Sequence, residues 1–156
     1  MMRICFFSLL SALLLYGSNG ALAQEVEQET KIACSSVPTP ARDAFKKMFP
    51  KAVIKGCATE LENGKTAYEF TSVERRIGRD VLFYEDGSLI VVEETIDFDK
   101  IPQPVREAVQ KVYPRRTIKL SEKATRGQTV YYEFHIRSRG KDVQLVFDPN
   151  GKEIKL

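Results

Sequence analysis

The sequence predicts an α+β protein of two tandem repeats, each a short helix packed on an antiparallel sheet of about four strands. Three observations lead to this prediction: a repeated unit, a helical pattern at the start of each copy, and alternating polarity after it. The chain has 156 residues, of which 43% are hydrophobic and 29% charged. That is enough for one compact domain or two small units that share a core.

The repeat extends over most of the chain. The segment VPTPARDAFKKMFP, which begins at Val37, returns 64 positions later as IPQPVREAVQKVYP, which begins at Ile101. The same offset brings Tyr68, Glu69 and Phe70 back as Tyr132, Glu133 and Phe134, and Phe83, Gly87 and Ile90 back as Phe147, Gly151 and Ile154. One offset held over this length is typical of internal duplication. We therefore predict one repeat over 37–96 and a second over 97–156.

Each copy begins with the signals of a helix. Pro40 and Pro104 suit the first helical turn, where a missing N–H costs nothing, and Pro50 and Pro114 mark the ends. Between them, apolar residues recur at the spacing of one helical face. These residues are Ala41, Ala44, Phe45 and Met48 in the first copy, and Val105, Ala108, Val109 and Val112 in the second.

After each helix the period changes to two, which indicates strands joined by tight turns. Turn signals such as Asn63-Gly64 and Asp86-Gly87 divide each copy into about four strands. Successive side chains of a strand point to opposite faces, a rule called parity here. Parity predicts a set of residues that face the helices: Ile54, Tyr68, Phe70, Phe83 and Ile90 in the first copy, and Ile118, Tyr132, Phe134, Phe147 and Ile154 in the second.

The N-terminal 23 residues are typical of a secretory signal peptide. Arg3 supplies the positive charge, an apolar run follows, and the small residues Ala21 and Ala23 mark a cleavage site. A membrane anchor is the alternative, but the apolar run is shorter than the roughly 20 residues that a spanning helix needs. We expect a periplasmic or secreted protein without a membrane anchor in its mature form. The polar segment 24–36 is predicted to be a flexible lead-in.

The charge balance argues against a nucleic-acid partner. The formal net charge is +3, and removal of the leader with Arg3 lowers it to +2 because Arg3 is the only charged residue there. Basic and acidic residues are interspersed, so no basic patch is predicted.

Two cysteines, Cys34 and Cys57, remain after the leader. A disulfide is the natural interpretation in an oxidising compartment. Two unrelated thiols are the alternative, and a metal pair is weaker because neither cysteine belongs to a C-x-x-C motif. Parity places Cys57 with Val53 and Lys55, away from Ile54, so the lead-in would have to pass round the sheet edge.

The sequence predicts no catalytic residues, no metal site and no cofactor. His135 is the only histidine and is better explained as a solvated strand residue than as a base. Glu69 and Glu133 occupy equivalent positions, which favours strand packing over an acid–base pair. The acidic run from Glu93 to Asp99 lacks calcium-loop spacing and is interpreted as a solvated connection between the repeats.

These residues also resemble a known family. A Leu/Ile-Pro start, a short helix ending in an aromatic-Pro pair, a Tyr-Glu-Phe strand and a Phe-x-x-x-Gly turn are similar to PepSY-like domains grouped with beta-lactamase-inhibitor-like proteins. The matching segments are IPQPVREAVQKVYP, YYEFHI and FDPNGKEI, with counterparts in the first copy. The resemblance implies a secreted or periplasmic protein of two tandem units. It implies partner binding through an open sheet face, and by analogy inhibition of an enzyme.

Parity also predicts where a partner would sit. The residues that alternate with the helix-facing set carry tyrosines and aliphatic side chains beside charged groups, which is typical of protein-binding faces. We predict a site for a protein or peptide partner centred on Tyr84 and Tyr131. Its other members are Leu82, Leu89, Val91, Glu133 and His135, with Val146 beside them. The alternatives are coverage of this face by the chain itself or a second copy, a structural or stress-associated envelope role without a ligand, and, least favoured, an enzyme.

Overall fold

The structure is a computed structural model that describes residues 29–114 and 116–154. It contains two α-helices, α1 (Thr39–Met48) and α2 (Gln103–Val112). Nine strands accompany them: β1 (Thr30–Ile32), β2 (Val53–Glu62), β3 (Lys65–Glu74), β4 (Ile77–Tyr84), β5 (Leu89–Thr95), β6 (Arg116–Arg126), β7 (Thr129–Ser138), β8 (Lys141–Phe147) and β9 (Glu153–Ile154). The predicted leader, residues 1–23, lies outside the described residues.

All nine strands belong to one antiparallel sheet in which each strand pairs with its neighbours in the sequence. The two halves of the chain meet where β5 pairs with β6, from Val92 opposite Thr125 to Thr95 opposite Glu122. This pairing satisfies backbone groups that would otherwise form two unpaired sheet edges.

Both helices cover the same face of this sheet. In the first half, Ala41 and Phe45 of α1 are buried against Phe70, Val81 and Phe83 of the strands. In the second half, α2 contributes Val105 and Val109 to an equivalent cluster on β7 and β8. No helix of the described residues is long and apolar enough to cross a membrane.

The predicted fold class is therefore wrong in its architecture. The helices lie close to where the prolines place them, but the strands form one nine-stranded sheet instead of two sheets, and the protein is mostly β. Sequence periodicity identifies single strands. Whether the last strand of one half pairs with the first strand of the next depends on long-range contacts that local patterns do not carry.

The flexible lead-in is also corrected, for the part of it that the structure describes. Thr30–Ile32 form β1, which pairs with β2 along the sheet edge, and a short 3-10 turn follows over Cys34–Ser36. Unpaired backbone groups on β2 explain why this polar segment becomes ordered, since an edge strand offers a ready template for pairing.

The predicted disulfide between Cys34 and Cys57 is present, with the two Cα atoms 5.2 Å apart. The expected detour round the sheet edge is wrong. A β-bulge between Ile54 and Gly56 shifts the register by one residue, so Cys57 lies opposite Phe70 and faces the helix. A one-residue shift moves every following side chain to the other face.

A second bulge corrects the placement of Ile90. The register of β4 and β5 shifts between Leu82 and Phe83, and Ile90 joins Leu82 and Val91 on the face away from the helices. Ile54, Tyr68, Phe70 and Phe83 belong to the helix-covered face, as predicted. In the second half, Ile118, Tyr132, Phe134 and Phe147 do so too. The prediction for Ile154 is wrong, because it lies opposite Val146 on the face away from the helices.

Two glycines let the β-turns approach the helix N-termini. Gly87 has φ of +83°, and a Cβ there would lie 2.7 Å from the carbonyl oxygen of Pro40. Gly151, 64 positions later, has φ of +81°, and its Cβ would lie 2.5 Å from the carbonyl oxygen of Pro104. The same close contact thus occurs in both halves of the chain, and only glycine fits it.

We expect Gly87→Ala and Gly151→Ala each to destabilise the protein more than Gly64→Ala does. Gly64 also has a positive φ, but a Cβ there would meet no described residue within 4 Å apart from its two chain neighbours. The control therefore measures backbone strain alone, about 1 kcal/mol, and the helix contact should add about 1–3 kcal/mol. Urea unfolding of the three variants provides the measurement, and equal losses would contradict the close-approach argument.

Loss of the disulfide should destabilise the protein by about 3 kcal/mol, because it closes a loop with a sequence separation of 23 and ties β1 to the sheet. The Cys34→Ala/Cys57→Ala variant, compared with the oxidised protein in urea unfolding, measures this loss. Counting thiols in the denatured, unreduced protein provides the control, and two reactive thiols there would contradict the bond.

Candidate functional site

The face of the sheet opposite the helices, called here the inner face, carries its own apolar cluster. Its buried members come from four adjacent strands: Ala67, Leu82, Ile90, Val91 and Ala124. The bulge in β4 and β5 contributes because it turns Ile90 towards this face as well as Val91. The cluster crosses the β5–β6 junction, so both halves of the chain build it.

Two half-buried tyrosines, Tyr84 and Tyr131, pack against this cluster from β4 and β7. The ammonium group of Lys65 lies over the ring of Tyr84, with Nζ 5.7 Å from the ring centroid. Leu89 at the start of β5 is 42% exposed, but it lies opposite Phe83 and therefore on the helix-covered side of the sheet. The rim of the apolar cluster that solvent can reach thus consists of the two tyrosines.

A set of seven carboxylates, called here the acidic array, lies on the same face. Its members alternate with the apolar positions on six strands, and all are buried: Glu60, Glu62, Glu69, Asp80, Glu93, Glu122 and Glu133. Asp80 lies directly opposite Glu93, and Glu122 lies directly opposite Glu133. Carboxylates placed in this way repel each other when both are ionised, so the array favours protons or cations.

An ion pair between distant strands shows that the sheet curves towards the inner face. Glu62 Oε1 accepts from the guanidinium of Arg126 at 2.7 Å, although β2 and β6 are separated by three strands. In a flat sheet these strands would be about 19 Å apart, which is beyond the reach of the two side chains. The curvature brings the β2–β3 and β6–β7 turns together and makes the inner face concave at this end.

Burial changes the titration of two members of the array. It raises the pKa of Glu133 to about 8, with the nearby Glu122 carboxylate adding to the effect. A hydrogen bond from Gln144 and the charge of Arg126 act in the opposite direction. Burial also raises the pKa of Glu93 well above its ordinary value, reinforced by the charges of Glu133, Glu122, Asp80 and Glu69.

The structure brings the predicted binding residues other than Leu89 onto the inner face but buries several of them. The prediction for Leu89 is wrong, because the bulge between β4 and β5 places it opposite Phe83, on the helix-covered side. Leu82 and Val91 are the floor of the apolar cluster rather than exposed contacts, and Glu133 is only 3% exposed rather than at a polar margin. Val146, opposite Glu133, is buried as well. Curvature of the sheet, which parity cannot indicate, accounts for the difference from the expected exposure.

The other predicted members keep some access to solvent. Tyr84, Tyr131 and His135 are partly buried, and Leu89 is exposed. His135 lies on β7, two residues after Glu133, and is opposite Gln144 of β8. The predicted centre of the site, Tyr84 and Tyr131, is therefore the accessible part of the inner face. Its role in binding stays a prediction.

Sequence reasoning missed most of the acidic array. Glu93 was expected in a solvated connection, but β5 continues to Thr95 and Glu93 is buried. Alternation along the strand was the available signal, since Val91 and Glu93 are two positions apart and share a face. Arg126 carried no such signal, because its contact with Glu62 depends on curvature.

The described residues show no grouping that could hold a metal ion. No three His, Cys, Asp or Glu side chains converge for that purpose within 29–114 and 116–154. The array is instead spread across six strands, which suits contact with an extended partner better than coordination of a single ion.

Comparison with known proteins identifies the fold. No protein-family profile matches the sequence, and no curated protein matches it either. Solved structures do match. One, from Bacteroides eggerthii and provisionally assigned to the periplasm, is 18% identical, with a TM-score of 0.66 over 76% of this chain and 86% of its own.

Two further structures agree with it. A DUF2874 family protein from Bacteroides ovatus is 19% identical, with a TM-score of 0.63 over 77% of this chain and 86% of its own. A BLIP-like protein from Bacteroides fragilis is 19% identical, with a TM-score of 0.59 over 76% of this chain and 84% of its own. The chain therefore has a BLIP-like fold. The description of the Bacteroides eggerthii protein agrees with the predicted periplasmic localisation. The PepSY relationship and the tandem repeat stay predictions.

The raised pKa of Glu133 predicts that stability falls as pH rises. An unfolded glutamate loses its proton near its ordinary value of 4.5, whereas folded Glu133 keeps it up to about 8. Between these values the folded state binds more protons, so its free energy of unfolding decreases with pH, by up to about 1.4 kcal/mol per pH unit for one group.

Urea unfolding between pH 5 and pH 8 tests this window. Glu133→Gln should flatten the pH dependence, because glutamine cannot ionise. Glu107→Gln is the matched control, because Glu107 is exposed on α2 and its substitution removes the same charge. If Glu133→Gln and Glu107→Gln show the same slope as the unmodified protein, Glu133 does not titrate in this range.

Proposed function

We propose that this chain is a periplasmic binding protein that holds a protein or peptide partner on its inner face and performs no catalysis. The observation that carries the proposal is the apolar cluster on the side of the sheet opposite the two helices, with Tyr84 and Tyr131 packed at its accessible rim. An antiparallel sheet with one solvated face ordinarily places polar residues there. Exposed apolar and aromatic side chains ringed by polar groups are typical of interaction sites.

The composition of this rim suits a protein partner. Tyrosine buries a large apolar surface at low cost in side-chain entropy, and its hydroxyl remains available for hydrogen bonds. Since both halves of the chain contribute, an extended partner lying across β4 to β7 would contact both tyrosines.

The fold supports the proposal by analogy alone. One neighbour is described as BLIP-like, and the sequence resembles beta-lactamase-inhibitor-like proteins that bind through an open sheet face. Inhibition of an enzyme is the more specific form of this proposal. It requires that the partner be an enzyme whose activity falls on binding.

Replacing both tyrosines, in Tyr84→Ala/Tyr131→Ala, should reduce recovery of partners in a pull-down from periplasmic extract by roughly tenfold or more, as expected for central interface tyrosines. Met48→Ala/Val112→Ala is the matched control, because these exposed apolar residues lie on α1 and α2, on the other side of the sheet.

Circular dichroism and thermal unfolding must first show that both double variants are folded. Recovery of every partner at the original yield by the folded tyrosine variant would contradict the proposal. Recovery of no protein other than the chain itself, by the unmodified protein, would instead favour a structural role.

A further inference from the structure

The inner face already holds cations supplied by the chain itself. At one end, Arg126 pairs with the buried carboxylate of Glu62 at 2.7 Å. At the rim, the Lys65 ammonium lies over the ring of Tyr84. Carboxylates and aromatic ring faces are both groups that proteins use to hold ammonium and guanidinium ions. Both occur here on one concave surface.

We propose that the partner segment held on the inner face is cationic, with lysine or arginine side chains directed at the acidic array. This inference rests on the proposed function and specifies the chemistry of the partner. The seven carboxylates share the inner face with the tyrosine rim, so a segment that covers Tyr84 and Tyr131 lies on the same side of the sheet as the array.

A second observation, separate from the number of acids, points to a missing donor. Glu133 is 3% exposed, and Gln144 donates to its Oε2 at 3.3 Å. Its Oε1 is buried and accepts no hydrogen bond from the described residues. A buried carboxyl oxygen without a donor is costly. The ammonium of an inserted lysine supplies the donor and the opposite charge together.

Overall charge does not explain such an attraction. The formal net charge of the chain is +3, so a cationic segment is weakly repelled by the protein as a whole. Binding must then depend on the local field of the inner face, where charges of one sign in a low-dielectric concavity are concentrated. The effect of a variant on the inner face therefore reports on the local field and can be distinguished from the effect of net charge.

Cation binding at this site has a proton signature. Glu133 keeps its proton up to about pH 8 because burial raises its pKa. A lysine ammonium beside it stabilises the ionised form, so binding near neutral pH releases a proton and affinity increases with pH. The titratable and charged groups that lie beside Glu133 and Glu93 on this face are Glu69, Asp80, Glu122, Arg126 and His135, and Gln144 donates a hydrogen bond to Glu133.

The experiment compares three labelled synthetic peptides of equal length, rich in lysine, in glutamate or in serine, titrated with the mature protein by fluorescence polarisation. The lysine peptide should bind most tightly, and its affinity should rise by about tenfold or more between pH 6 and pH 8. Calorimetry in buffers of different ionisation enthalpy should show proton release.

Glu133→Gln should remove most of the pH dependence, while Glu107→Gln on α2 should leave it unchanged. Equal affinity of the lysine peptide for the unmodified protein and Glu133→Gln at pH 8 would overturn the inference, and so would tighter binding of the glutamate peptide. If the serine peptide binds as well as the lysine peptide and Tyr84→Ala/Tyr131→Ala abolishes both, the proposed function stands but the cationic partner does not.

If no peptide binds but recovery of partners in the pull-down still requires Tyr84 and Tyr131, the cationic partner is ruled out and the proposed function stands. If neither peptide binding nor recovery of any periplasmic protein depends on Tyr84 and Tyr131, both the cationic partner and the proposed function are ruled out.

Discussion

The backbone pairing of β5 with β6 is the contact on which the rest of the molecule depends. It joins two helix-and-strand halves into one sheet, and it places Val92 opposite Thr125 and Thr95 opposite Glu122. Without it, each half would present a long unpaired edge, which folded proteins avoid. With it, the helices share one side of the sheet and the other side becomes a single surface that neither half could form alone.

That surface combines features that rarely occur together. Apolar residues from four strands form a buried cluster, yet carboxylates occupy the alternate positions on the same face. Burying charge is expensive unless protons, cations or hydrogen bonds compensate. The Glu62–Arg126 pair supplies one such compensation, and the raised pKa of Glu133 is another. A face of this kind is costly for stability alone, and this cost is the physical argument for the binding role proposed above.

The candidate site was partly predictable. Alternation along β4 and β7 placed Tyr84 and Tyr131 on the face away from the helices, and both are half-buried there against the apolar cluster. Exposure was not predictable. Leu82 and Glu133 lie on the predicted face but are buried, because the sheet curves and brings distant turns together. Alternation reports which side of a strand a residue occupies and contains no information about curvature.

The sequence by itself determined the local elements: prolines set the helix starts near Pro40 and Pro104, glycine turns separated the strands, and Cys34 and Cys57 indicated the bond that the structure contains. These depend on backbone dihedrals and short-range chemistry, which neighbouring residues decide. Only the tertiary structure decided three other features. They are the bulges that move Cys57 and Ile90 to the opposite faces, the joining of all strands into one sheet, and the burial of the acidic array. Each follows from packing between residues far apart in the chain, and a shift of one residue in register is enough to reverse a face.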